Sequence, residues 1–209
     1  MLRDFGINSP DIHASMSLCL GPCEVSVSEM VSAYTAFANH GIRTAPMFVS
    51  RIEDNEGNTL ATFQPRMNEV IGAENAMKML TMLMGVVDGG TAGRLRYRYN
   101  LEGQIGAKTG TTNNNSDGWF IGFTPQLVSG CWVGGEERDI HFDSMSMGQG
   151  ATMALPIWAI FMKKVYADPT LGIRPDVKFD LPDGYDPCSK PKSDQDDFEQ
   201  VDGIDEVFE

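Results

Sequence analysis

The spacing of residues 104–134 leaves this chain little topological freedom. Three runs there read as strands from their apolar alternation and their bounding Gly, Pro and Asn residues: 104–110, 118–124 and 127–134. The link between the last two is no longer than Thr124-Pro125-Gln126. A parallel pairing needs a crossover of roughly a dozen residues, so these runs can meet only as an antiparallel hairpin.

Helices should flank those strands. A short helix is expected over residues 9–20, started by Ser9-Pro10-Asp11. A firmer one begins at Ser26, where Ser26-x-x-Glu29 fits a capping box, apolar residues recur at Met30, Ala33, Tyr34 and Phe37, and Gly41 stops the run. Residues 47–63 alternate on both sides of Asn55-Glu56-Gly57-Asn58 and predict a β-hairpin. Residues 72–90 predict an amphipathic helix with Met77, Leu80, Met84 and Val87 on its core face. A last apolar helix over 151–166 carries Pro156 near its first turn. Helices and a hairpin followed by clustered strands specify an α+β fold, an antiparallel sheet flanked by helices, over residues 1–167. Residues 168–209 turn Pro-rich and then acidic, and from 187 onward they read as disordered.

The net charge of −13 resides largely in that tail. Residues 181–209 hold ten Asp and Glu against two Lys, which leaves −5 for the other 180 residues and argues against a nucleic-acid partner. Cys19, Cys23, Cys131 and Cys188 and the dispersed His13, His40 and His141 show no metal-ligand spacing, and the reading calls for no metal and no cofactor. No run approaches the ~18 apolar residues that cross a bilayer. The residues after Met1 form no secretory leader pattern.

The chemistry concentrates in the first strand. Gly106 and Ala107 before Lys108, and Gly110 after Thr109, remove bulk on both sides of a cation. A strand edge without side chains lets a second backbone approach. Lys108 offers positive charge, Thr109 and Thr111 offer hydroxyls, and nearby backbone N–H groups can hold a developing oxyanion. That array suits a peptide ending in a carboxylate. A phosphate loop is a poor match. Ala107 stands where its second glycine belongs, and a turn and strand, not a helix, follow.

Lys108-Thr109-Gly110-Thr111-Thr112, then Asp117-Gly118-Trp119-Phe120-Ile121-Gly122-Phe123-Thr124-Pro125, then Cys131-Trp132-Val133-Gly134 resemble the C-terminal half of the transpeptidase domain of class A penicillin-binding proteins. The helix text at 20–41 and Val86–Gly93 agree, so the resemblance covers about residues 18–166. It implies a partial fold of the penicillin-binding-protein and serine β-lactamase type. It also implies a serine D-Ala-D-Ala transpeptidase that cross-links peptidoglycan stem peptides and is acylated by β-lactams. By this similarity Lys108 supplies charge and proton handling. Thr109 and Thr111 bind the substrate carboxylate, with Gly110 and Thr112 beside them, and the Thr111 N–H forms half of the oxyanion hole. Trp119 is a strand-rim residue that could border the groove, Thr91 is a candidate for its wall, and Asp117 could cap a turn or meet a cation. Arg94, Arg96 and Arg98 alternate with apolar residues and read as a solvated face of an extended segment.

The resemblance also shows what is absent. Such an enzyme needs Ser-x-x-Lys at a helix start and a Ser-x-Asn loop. The only Ser-x-x-Lys here is Ser189-Lys190-Pro191-Lys192, in the acidic tail, and no Ser-x-Asn occurs. The expectation is a C-terminal fragment whose Met1 is an internal start, inactive alone and partnered by the missing N-terminal half of the domain. Its parent would be membrane-anchored on the periplasmic side of the inner membrane, in the cell envelope. A non-catalytic peptide-binding or scaffolding module and a β-lactamase-related fragment are the alternatives.

Overall fold

The side chain of Ser26 accepts the Glu29 N–H while Glu29 Oε2 accepts the Ser26 N–H at 2.9 Å, and this reciprocal cap starts helix α1 (Val27–Ala38). In this computed structural model, which describes residues 1–10, 12–21 and 23–188, two nested hairpins follow. The outer one pairs β1 (Ile42–Thr44) with β4 (Met67–Glu69), and the inner one pairs β2 (Arg51–Glu53) with β3 (Thr59–Thr62). The inner turn is held by Asp54, whose Oδ1 accepts the N–H groups of Glu56 and Asn58. Helices α2 (Ala73–Asp88) and α3 (Arg94–Tyr97) lead into the three-stranded sheet of β5 (Gly106–Thr111), β6 (Asp117–Phe123) and β7 (Val128–Gly134). Short α4 (Met145–Gly148) and long α5 (Gly150–Ala167) complete the helices.

The sheet has the order β5-β6-β7 and is antiparallel throughout, with Lys108 opposite Ile121 and Trp119 opposite Trp132. Its two faces are covered by different helices. Phe120 packs with its ring tilted at 57° and its centroid 5.3 Å from Trp158 of α5, whose indole N–H donates to Ser129 Oγ at 2.7 Å. On the other face Phe123 packs with Leu80 and Leu83 of α2 and meets Tyr34 of α1. Each large side chain buried this way contributes about 2–3 kcal/mol. The chain beyond α5 continues to pack, since Phe179 is buried and its N–H donates to Gln104 Oε1 at 2.7 Å. Among the described residues no helix is long and apolar enough to cross a membrane.

Four features differ from the sequence reading. The helix expected over 9–20 is only a 3₁₀ turn at Met16–Leu20 with no buried residue, so no apolar face is covered there to stabilise more. The core face of α2 is Ala76, Leu80, Leu83 and Val87. Packing against Phe123 turns the helix so that Met77 and Met84 are only partly buried. The pairing of β1 with β4 has no signature in the sequence, because three-residue strands show no alternation. Arg94, Arg96 and Arg98 lie on and after a helix and separate. Arg94 donates to Ala151 O and Thr152 Oγ1, Arg96 pairs with Asp88 at 2.8 Å, and Arg98 stands over the Tyr99 ring. The disorder expected for the acidic tail and the Ser189–Lys192 motif lie outside the described residues, except at Pro187 and Cys188.

Candidate functional site

Strand β5 begins buried and ends open. Gly106 and Ala107 are buried, whereas Lys108 to Thr111 are exposed or half-exposed. One side of β5 is occupied by β6, and no strand among the described residues takes the other. Lys108 is exposed, and its Nζ donates to the Thr109 carbonyl at 2.6 Å. Among the described residues it has no carboxylate partner, although five ion pairs join other Lys or Arg side chains to carboxylates. The cation is therefore available to an incoming anion.

The hydroxyls lie on the opposite side of the strand. Thr109 Oγ1 is 2.9 Å from Thr91 Oγ1, which the segment after α2 carries to the strand. Whichever hydroxyl donates in that pair, the other keeps a proton to give. Thr111 Oγ1 accepts the Gly150 N–H at 3.1 Å, so its own O–H remains a donor. Thr112 serves the turn: its Oγ1 accepts the Asp117 N–H at 3.0 Å and contacts Ser116 Oγ at 2.9 Å. Asn114 and Asn115, both with positive φ, reverse the chain in between. A β-carbon on Gly110 would touch Trp119 Cβ at 3.0 Å, so Trp119 is half-buried over the bare strand. The structure thus brings Lys108, Thr109, Gly110, Thr111, Thr91 and Trp119 to one strand end and gives Thr112 to the scaffold.

Gly150 was missed by sequence reasoning. A β-carbon there would stand 2.3 Å from the Gly110 carbonyl oxygen and 2.5 Å from that of Trp119, so only glycine lets α5 dock its first residue onto the strand. The Gly148-Gln149-Gly150 spelling before an apolar helix is the one signal that could have pointed to it.

The penicillin-binding protein transpeptidase domain family matches residues 4–130, which include the whole of β5 and β6. The chain belongs to that family. It is 37% identical over 166 residues to penicillin-binding protein 1A of Aquifex aeolicus, covering 79% of this chain and 21% of that protein. Over 168 residues it is 34% identical to penicillin-binding protein 1A of Neisseria meningitidis, covering 78% and 20%. The chain thus spans about a fifth of the length of the curated relatives it matches. Its fold is similar to that of penicillin-binding protein 1A from Haemophilus influenzae, with a TM-score of 0.75 at 26% identity over 87% of this chain and 31% of that one. It is also similar to PonA1 of Mycobacterium tuberculosis in complex with penicillin V. There the TM-score is 0.71 at 23% identity over 91% of this chain and 54% of that one, which speaks for the fold alone. The partial transpeptidase fold read from the sequence agrees with these findings.

Proposed function

We propose that the polypeptide carrying this chain is a D-Ala-D-Ala transpeptidase that cross-links peptidoglycan stem peptides in the cell envelope, on the periplasmic side of the inner membrane. This chain supplies its carboxylate and oxyanion strand. The observation that carries the reading is Lys108, an exposed cation without a carboxylate partner among the described residues, set where β5 leaves its cover beside two free hydroxyl donors, one from the Thr91–Thr109 pair and one from Thr111. An extended peptide laid along the open edge of β5 would bring its terminal carboxylate to these groups. The Thr111 N–H would then meet the scissile carbonyl oxygen as negative charge develops on it. Gly110 keeps the edge free of bulk, Trp119 borders the groove, and Thr112 holds the turn in register.

The serine nucleophile comes from elsewhere in the parent polypeptide. β-Lactams, as donor mimics, acylate that serine and engage the same strand. Fluorescent-penicillin labelling read by intact mass tests this. The parent polypeptide labels, Lys108→Ala slows labelling by about a hundredfold or more, and this 209-residue chain alone takes no adduct. An unlabelled parent would refute the transpeptidase reading. An adduct on the isolated chain would place a competent serine within it.

A further inference from the structure

The far end of the Lys108 face is built unlike the rest. Antiparallel partners share a face, so Lys108, Ile121, Trp119, Asp117, Trp132 and Gly134 project on one side of the sheet. Helix α1 covers this face where Val27 and Val31 crowd Gly130. Past that cover Trp132 is 40% exposed. A β-carbon on Gly134 would stand 2.4 Å from Trp132 Cζ2 and 2.8 Å from Asp117 Cβ, so the indole lies back across the glycine and beside the aspartate. One carboxylate oxygen, Asp117 Oδ1, is buried and accepts no hydrogen bond among the described residues.

A buried carboxylate oxygen without a donor is costly until a donor arrives. Asp117 as a whole is only half-buried, so a cation can approach its carboxylate by charge and the indole by its π face. The local charge agrees. The adjoining loop adds Glu136, Glu137, Asp139 and Asp143, and its one cation, Arg138, lies 3.4 Å from Glu24. Lys108 stands farther along the same face, opposite Ile121, while Thr111 neighbours Asp117 in register and turns its hydroxyl to the other face. Strand spacing and rise place the Cα of Asp117 about 6 Å from that of Thr111.

We propose that Asp117 and Trp132 form a subsite for a primary ammonium, carried by the acceptor peptide of the cross-linking reaction. The inference rests on the transpeptidase reading. The ammonium first gives one proton to water. The free amine then forms the new C–N bond as the serine ester C–O bond breaks, and its second proton goes to the serine oxygen. Asp117 and Trp132 bind and orient the amine-bearing chain and leave the acylation step alone.

The test uses the parent polypeptide with an acyl-D-Ala thioester as donor and Nα-acetyl-lysinamide as amine. Two rates are read: penicillin acylation, and the partition of the acyl-enzyme between amine and water. Asp117→Asn and Trp132→Leu each lower the aminolysis-to-hydrolysis ratio by about tenfold, with a raised half-saturation for the amine, while acylation stays within about twofold. Asp117→Glu recovers part of the ratio. An unchanged ratio in Trp132→Leu, or acylation falling in step with aminolysis in both variants, would overturn the subsite. A wild-type parent that penicillin does not acylate would overturn the transpeptidase reading, and this one with it.

Discussion

At the scale of the residue, the site depends on one glycine that makes no chemistry of its own. Gly150 puts its N–H on Thr111 Oγ1 and leaves no room for a β-carbon between two carbonyl oxygens. Those are backbone atoms of paired strands, so they cannot step aside as a flexible side chain would. Gly150→Ala should therefore cost about 2 kcal/mol or more, read as a lowered urea midpoint, and an unchanged midpoint would mean the helix is not seated as described. The lysine motif was legible because its chemistry is written in consecutive letters, Lys108 to Thr112. Gly150 was not, since its meaning arises from a contact 39 residues away. The sequence leaves Asp117 open between a turn cap and a cation partner, and only the packing of Trp132 across Gly134 shows an oxygen without a donor among the described residues.

At the scale of the element, legibility followed length and local chemistry. The capping box of α1 and the turn around Gly57 are local devices, and both formed as the sequence predicts. The six-residue separation of the partners Glu53 and Thr59 likewise suffices to specify the inner hairpin. The outer pairing of β1 with β4 joins segments 23 residues apart or more, and no local signal announces it. The α1 cap also titrates. Glu29 lies below its ordinary value of 4.5 chiefly because it accepts the Ser26 N–H, and secondly that of Asn8. A carboxyl whose folded value is depressed adds stability that is whole above the unfolded value and is lost as pH falls through the folded one. The chain should therefore lose part of its stability below about pH 4.5. Glu29→Gln should be less stable than wild type at neutral pH and should converge with it in acid. Urea midpoints measured across that window check it, and curves that stay parallel would show that the cap does not titrate.

At the scale of the whole molecule, the described residues leave apolar surface open in an ordered pattern. On α5, Ile157, Ile160 and Phe161 are 52%, 52% and 45% exposed, and their spacing makes them a single stripe alongside the buried Trp158 face. The sequence showed α5 as apolar without showing which side would face the sheet. Phe120 and Gly122 decide that by receiving Trp158. A stripe of this kind promotes association, because burying it returns roughly 25 cal/mol per Å² with no backbone left to order. The isolated chain should therefore sediment as a concentration-dependent mixture. The triple variant Ile157→Gln, Ile160→Gln, Phe161→Gln should shift it toward monomer with little change in urea midpoint, since these side chains contribute least to the core. Equal association of the variant would move the cause to the exposed apolar residues of the hairpin region, among which Phe48 is 89% exposed. Loss of the fold in the variant would mean instead that the stripe is packed in solution and that the open face of α5 lies elsewhere.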